Sequence, residues 1–536
     1  MSNFITLTKA FFLSGISVNR RKNSQKPVFK QLGLFALIFL AASTFYNIMF
    51  FFTPMLSDMQ QAGEELIVNE PDSREILIFM LSAAAMLTFV TTFGQMQGTI
   101  FSGKDYEFIE SLPVRTPVVI SAKIASVYIL CIAEDLLIFL PTIVCYFIKT
   151  GDSGGSAISF IAVFFASMVP LLLSSLLGTV TVLIIKRLKY KNVFQVIIYF
   201  LYFALIFALM FNSYGMRNIA NSPILKLLPH FSFFRAAVFG RDILQLLIFV
   251  GINLGAFALV VLFISCLYKP INSMKQYAGS GKFNERGRAA ASQISVLLKK
   301  DLKMIVNKPA LLVNSVMGPI MFAITAAMML IMPIEGKSNG DVPPDITLLA
   351  VGVMFGLMMC SATNAASSSL SFEGKNFELL LSYPVKHSTV LRSKLISSFI
   401  NPSAIALISS SVILGLSFAK GFVTGNSIPL IISIFTGPQL SLIYATVMSL
   451  ICNLRWPKLD FESDIQVTKN SKSVLFATLF CTLPALPIGV IVLILSLLLP
   501  LAGLIAMLFI YAGLITFSSI LLKTKGKSLY FGLTAR

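Results

Sequence analysis

About a dozen uninterrupted apolar runs, each of roughly 20 residues, follow one another along this chain. A run of that length crosses the hydrocarbon core of a bilayer as a helix, and inside the core every backbone N–H and C=O must find its partner within the protein. Only helices and closed barrels meet that condition. Barrel strands alternate in polarity and these runs do not, so the chain is predicted to be an all-α polytopic membrane protein. The composition agrees, with 56% hydrophobic and only 12% charged residues among 536. Spans are expected near 31–55, 76–99, 117–148, 158–185, 193–212 and 243–267, then near 310–333, 347–370, 389–419, 428–452, 474–498 and 501–522. Between the last two, "LILSLLLPLAGLIAML" offers only Pro500 and Gly503 as punctuation, which leaves open two crossings or one hairpin that stops short.

Lysine and arginine concentrate in cytoplasmic loops, and that bias orients the chain. Arg20, Arg21, Lys22, Lys26 and Lys30 precede span 1, and "KRLKYK" follows span 4. Between spans 1 and 2, Asp58, Glu64, Glu65, Glu70, Asp72 and Glu75 oppose the single base Arg74, so that loop reads as outside. After span 6 come Lys269, Lys275, Lys282, Arg286, Arg288, Lys299, Lys300, Lys303 and Lys308 against Glu285 and Asp301, a large share of the formal net charge of +19. Both termini are expected in the cytoplasm of a bacterial-type cell membrane. One loop dissents: the stretch between spans 5 and 6 should be outside yet carries Arg217, Lys226, Arg235 and Arg241. No compact basic domain accompanies the positive charge, so its expected partner is anionic membrane lipid and not nucleic acid.

The N-terminal apolar stretch precedes its basic cluster, the reverse of a secretory signal, so it is expected to remain in place. Phe4, Leu7 and Phe11 fall on one helical face there, as expected for a helix lying on the inner membrane surface. Before span 7, Ile294, Leu298, Leu302 and Ile305 form a second such stripe, with Lys299, Lys300, Asp301 and Lys303 expected to face away. The six cysteines have no CxxC spacing and no nearby histidine; they read as small hydrophobes, with no metal site.

One sentence is written twice. Residues 101–126 and 372–397 align without gaps at an offset of 271, sharing Phe101/Phe372, Gly103/Gly374, Lys104/Lys375, Glu107/Glu378, Ser111/Ser382, Pro113/Pro384, Val114/Val385, Val119/Val390, Lys123/Lys394 and Ser126/Ser397. Chance would supply about one or two such identities, and an offset near half the chain is the trace of an internal duplication. Each copy lies between the second and third span of its half. Six spans separate them, an even number, so both lie on one side and the halves are expected to be parallel repeats. The predicted organisation is a first six-span repeat with its surface helix over 1–268, a basic linker and second surface helix over 269–309, and a second six-span repeat over 310–536. Within the motif, Gly103 and Gly374 release the chain, "KDYEFIE" and "KNFELLL" can form about two helical turns, and Pro113 and Pro384 end them. Tyr106, Phe108 and Ile109, with Phe377, Leu379 and Leu380 in the second copy, offer an apolar anchor to a soluble partner.

This layout of surface helix, two spans, short helix with "GKxxE…SxPV" and four further spans resembles the transmembrane permease of type-2 ABC exporters, here as two fused six-span units. The resemblance is specific over about 25 residues of each half, where the motif repeats. In that family the short helix is the coupling helix that seats in an ATP-binding subunit. The resemblance therefore implies ATPase coupling for Lys104, Tyr106, Glu107, Phe108, Ser111 and Pro113, and for Lys375, Phe377, Glu378, Leu379, Ser382 and Pro384. It also likens "NSPILKLLPHFSFFRAAVFG" to the family's short outer re-entrant hairpins, a feature the second half lacks. No G-x-x-x-x-G-K-[ST] phosphate loop is present; "AGSGKFN" and "KTKGKSLYFG" both miss the required first glycine. ATP and Mg are thus expected on two separate ATPase domains, with no cofactor held by this chain and no catalytic residue in it.

A rival class rests on Glu134 and Asp135, which lie mid-span in "LCIAEDLLIFLP", where ionisable groups are costly and usually functional. Either they line a substrate or proton path, as in an ion- or proton-coupled secondary transporter, or they pair with a neighbouring helix. Their counterparts at the repeat offset are Ile405 and Ala406. A membrane-embedded enzyme fares worst, with only His230 and His387 and no metal-ligand spacing. The expected function is ATP-driven export of an amphipathic or lipid-like substrate along the interface of the two halves.

Overall fold

The computed structural model describes residues 2–16, 73–101, 106–186, 194, 198, 201, 228–273, 292–331, 344–363, 365–419, 421, 425–461, 464–468 and 471–531. All regular structure among them is helical, with no strand. The spans expected near 31–55 and, for most of its length, 193–212 lie outside the described residues, as do Lys104 and the linker from 274 to 291. By spatial contact the chain forms two compact units, Met1–Lys189 with Leu201–Tyr277 and Ala278–Arg536 with Tyr190–Phe200.

In the first unit α1 (Ser2–Ile16) packs along α4. The chain then runs through α2 (Ser73–Phe101), the six-residue α3 (Tyr106–Ser111), α4 (Thr116–Thr150), α5 (Ser153–Ala166), α6 (Met168–Lys186), α7 (Phe231–Gly240) and α8 (Ile243–Ser273). A core of Met96, Ile100, Ile120, Ile124, Leu171 and Ile264 joins α2, α4, α6 and α8. α7 is apolar, too short to cross, and closed by Arg241 in the left-handed region at φ 51°. Two turns of polar chemistry define the end of the bundle remote from α3. Asp152 caps α5 through the Gly155 N–H at 3.1 Å and accepts from the Tyr146 hydroxyl at 2.9 Å.

The second unit opens on α9 (Gln293–Asn307), bent 86° from α10 (Pro309–Ile331), so that α9 lies across the start of the span. α11 (Pro344–Ser361), the one-turn α12 (Ala366–Ser369), a 3₁₀ turn over Ser371–Asn376 and α13 (Phe377–Ser382) lead to α14 (His387–Ala419). α15 (Ile428–Arg455), α16 (Asp464–Thr468), α17 (Lys472–Leu498) and α18 (Pro500–Phe531) complete it. A Cβ on Gly318 would lie 2.2 Å from the Met359 carbonyl oxygen, so the α10–α11 crossing requires glycine. The last two apolar runs are separate helices of 27 and 32 residues, both long enough to cross. Leu499 makes the turn alone by taking an extended conformation, and Pro500 starts α18.

Among the described residues eight helices, counting α5 and α6 as one, are long and apolar enough to span a membrane, or nine if the bent α9–α10 pair is one.

The α9 stripe differs from expectation at one residue. Asp301 does not face away; at 2% exposure it is on the buried face, because it lies three residues after Leu298 and four before Ile305.

Candidate functional site

Each copy of the repeated motif builds a short helix and a tight turn. α3 ends at Ser111, and the Leu112 carbonyl accepts from the Val114 N–H across Pro113 at 2.7 Å. α13 ends at Ser382, and the Tyr383 carbonyl accepts from the Val385 N–H across Pro384, also at 2.7 Å. Both are three-residue turns centred on a proline whose fixed φ suits them. In the second copy Gly374 turns the chain at φ 54°, with a Cβ there only 3.3 Å from the Leu459 carbonyl oxygen.

The aromatic residue that opens each short helix points into its own unit. Tyr106 meets Tyr268, near the end of α8, edge-on at 5.6 Å, and Phe377 meets Tyr530, near the end of α18, edge-on at 5.5 Å. Ile109 and Leu380 are each buried to 6% exposure. The expectation that Tyr106, Ile109, Phe377 and Leu380 form a knob for a partner is therefore corrected. On a two-turn helix the apolar side must be buried somewhere, and here the unit's own last span covers it. Glu110, Ser111 and Pro113 are exposed in the first copy, and Leu379, Ser382, Tyr383 and Pro384 in the second. Glu107, Phe108, Lys375 and Glu378 are placed on these elements by their backbone. Glu110 takes a hydrogen bond from Tyr106, one turn away, and an ion pair with Lys269 at 3.4 Å, which hold its carboxyl below the usual range.

The repeated lysine, an identity to which the pattern alone attached no role, ties these parts together. Lys394, 1% exposed on α14, donates to Asp301 on α9 at 2.7 Å and to Glu373 just before α13. Lys300 closes the set on Glu373 at 2.8 Å, and Ser393 donates to Asp301 at 2.6 Å. Two bases meet two acids, so the buried network is neutral. In the first unit the equivalent Lys123, 3% exposed, lies over the rings of Phe11 on α1 and Tyr268 on α8, at 5.6 and 5.5 Å. Each lysine thus binds surface helix to third span.

Elsewhere in the first unit, consecutive acids part company. Glu134 is exposed, whereas Asp135 is buried and accepts hydrogen bonds from Thr88 and Ser167. At the end remote from α3, Arg235 pairs with Glu75, Arg241 with Asp152 at 3.0 Å and Arg74 with Asp152 at 3.8 Å. Half of the dissenting positive loop is thereby neutralised, and Arg217 and Lys226 lie outside the described residues. Burial pushes the Asp152 carboxyl up, but the Gly155 N–H, Tyr146 and the two arginines outweigh it and leave it below its ordinary value. His230, stacked on Phe249 at 5.7 Å, is pushed down to about 4 by burial. Among the described residues no group of three or more His, Cys, Asp or Glu side chains could hold a metal.

The family described as "Membrane protein of 12 TMs" matches residues 34–523 of the chain. No curated protein matches it.

Proposed function

We propose that this chain, which belongs to the family of membrane proteins with twelve transmembrane spans, is the permease of an ATP-driven exporter for an amphipathic or lipid-like substrate. Membership in the family establishes a multi-pass membrane protein; the energy source is the proposal. The observation that carries it is the doubled short helix, anchored inward by one aromatic on the last span of its own unit and exposed along its other edge. A force applied to α3 would reach α2 and α4 through the chain and α8 through Tyr268 and Lys269. A force on α13 would reach α14 and α18 likewise, and α9 through Glu373 and Lys394. Two ATPase subunits closing on ATP and Mg would supply it, from the cytoplasmic side of a cell membrane, with both termini on that side. On this reading the subunits would dock on Glu110, Ser111 and Pro113 and on Leu379, Ser382, Tyr383 and Pro384, whose exposure supports it.

The test is a pull-down from native membranes in mild detergent, comparing the intact chain with a Ser111→Arg, Ser382→Arg variant. Both serines are exposed, so the fold should survive. The proposal expects an ATP-hydrolysing subunit to accompany the intact chain and to be lost from the variant. An intact chain that purifies alone sinks it and favours the ion-coupled reading, whose supporting observation is the burial of Asp135.

A further inference from the structure

We infer that Asp135 holds a proton, and that Asp135, Thr88 and Ser167 together form a proton-binding site at a break in the neighbouring span of the first unit.

Asp135 is the twentieth of the 35 residues of α4 and 1% exposed. The described titratable groups that bear on it are Glu134, Cys131 and Tyr128, all of them acids and all on α4. From α2 it faces Thr88, and from the junction of α5 and α6 it faces Ser167. The bases of α4 itself, Lys123 and Lys149, lie twelve and fourteen residues away, about 18 and 21 Å along the helix. The charges of α2, Arg74 and Glu75, the charges Asp152 and Lys186 flanking α5 and α6, and Lys269 of α8 all lie toward the ends of their helices. α1 meets α4 near Lys123, through Phe11. An ionised carboxylate in mid-span with no base beside it among the described residues is costly; a neutral acid is not.

Counting protons leads to the same place. Three contacts join these side chains to one another: Thr88 to Asp135 at 3.2 Å, Ser167 to Asp135, and Thr88 to Ser167 at 3.1 Å. Two hydroxyls supply only two protons. A proton on the carboxyl supplies a third and lets Asp135 donate as well as accept.

The location gives the proton something to act on. Ser167 is the single residue between α5 and α6, with helical backbone angles, and Pro170 cannot donate to the Ala166 carbonyl, so the backbone hydrogen bonding is broken there although the two helices run on as one span. From α4, the Tyr128 hydroxyl donates to the Phe164 carbonyl just before the break while Asp135 takes Ser167 at the break itself. Residues 128 and 135 are two turns apart on one face, so a single helix face clasps the broken span twice. Loss of the proton leaves an anion that draws water or a cation into the break and loosens the clasp. The site does not depend on how transport is powered, so it stands or falls separately from the ATPase partners.

The test uses the intact chain in nanodiscs and infrared difference spectroscopy of the carboxylic-acid C=O stretch at neutral pH. The expected result is a band that shifts in deuterium oxide, vanishes in Asp135→Asn, persists in Glu134→Gln, and moves to higher frequency in Thr88→Val as a hydrogen bond is removed. Absence of the band from the intact protein, or its survival in Asp135→Asn, overturns the proposal. A thermal midpoint raised by sodium chloride over choline chloride in the intact chain and not in Asp135→Asn also overturns it, since the carboxylate then holds a cation.

Discussion

Replacing Lys394 by Met removes the one base among the described residues that touches both Asp301 and Glu373, while keeping most of the volume of the side chain. Glu373 retains Lys300 at 2.8 Å, but Asp301, with its side chain 3% exposed, is left with the Ser393 hydroxyl alone. Stranding one partner of a buried pair costs about 3–5 kcal/mol. At about 2–4 °C per kcal/mol for a unit of this size, the midpoint should fall by about 6–20 °C. Lys300→Met, at a site 43% exposed, should cost about 1 kcal/mol or less. The first unit supplies the internal comparison, because Lys123→Met loses two ring contacts and the bond to the Ile100 carbonyl at 3.4 Å, for about 1–2 kcal/mol. The assay is a thermal ramp in detergent read by a thiol-reactive dye, for which the buried Cys131, Cys145, Cys360, Cys452 and Cys481 are reporters. Replacing the whole set, as Lys394→Met with Asp301→Leu and Glu373→Met, should recover most of the loss, since no charge is then left unpaired. A single-variant shift below about 2 °C, or a triple variant no better than the single one, would refute the reasoning from stranded charge.

Three further outcomes follow from the same geometry. His230 stays neutral in the fold, so the unfolded chain binds the extra proton; stability should be level above pH 6.5 and fall by about 3 kcal/mol as pH drops toward 4. His230→Phe, which keeps the stacking on Phe249, should abolish that slope in thermal melts across this window. Asp152 behaves in the opposite sense: with its carboxyl held below 3.8, its contribution is whole above that pH and lost as pH falls through the lower folded value. Asp152→Asn should remove that acid limb, and Asp152→Ala at neutral pH should cost about 2–3 kcal/mol through the lost cap and the stranded Tyr146 hydroxyl. Gly318→Ala should cost at least about 1–3 kcal/mol and broaden the size-exclusion profile, because α10 and α11 must separate to admit the methyl.

The spans were legible because lipid leaves the backbone one solution, and length with polarity then suffices to find it. The turn between α17 and α18 was not, since one extended residue, Leu499, reverses the chain without any run of polar residues. Positive charge counted along the loop after span 5 overstates its net charge because counting ignores pairing; Arg235 and Arg241 meet Glu75 and Asp152, which are remote in sequence. Asp301 could have been found, as its spacing from Leu298 and Ile305 puts an acid on an apolar face, which calls for a buried base. The inward contacts of the short helices were hidden for a different reason. Tyr268 and Tyr530 are 262 residues apart, not 271, so an alignment held at the motif's offset never pairs them.

The two units meet one mechanical requirement with different chemistry, and the difference bears on how each can move. In the first, Lys123 donates to the Ile100 carbonyl and lies over two ring faces, contacts that weaken gradually as the rings slide. In the second, Lys394 is fixed between two carboxylates from separate elements, and parting either one exposes an unpaired charge in a dry site. The second unit should therefore move α9, the Glu373 turn and α14 together or not at all. Asp135 belongs to the first unit, and Ala406 occupies its place in the second. A clasp that loosens when its proton leaves has an effect only where the surrounding helices can respond, and the first unit is the one that carries it.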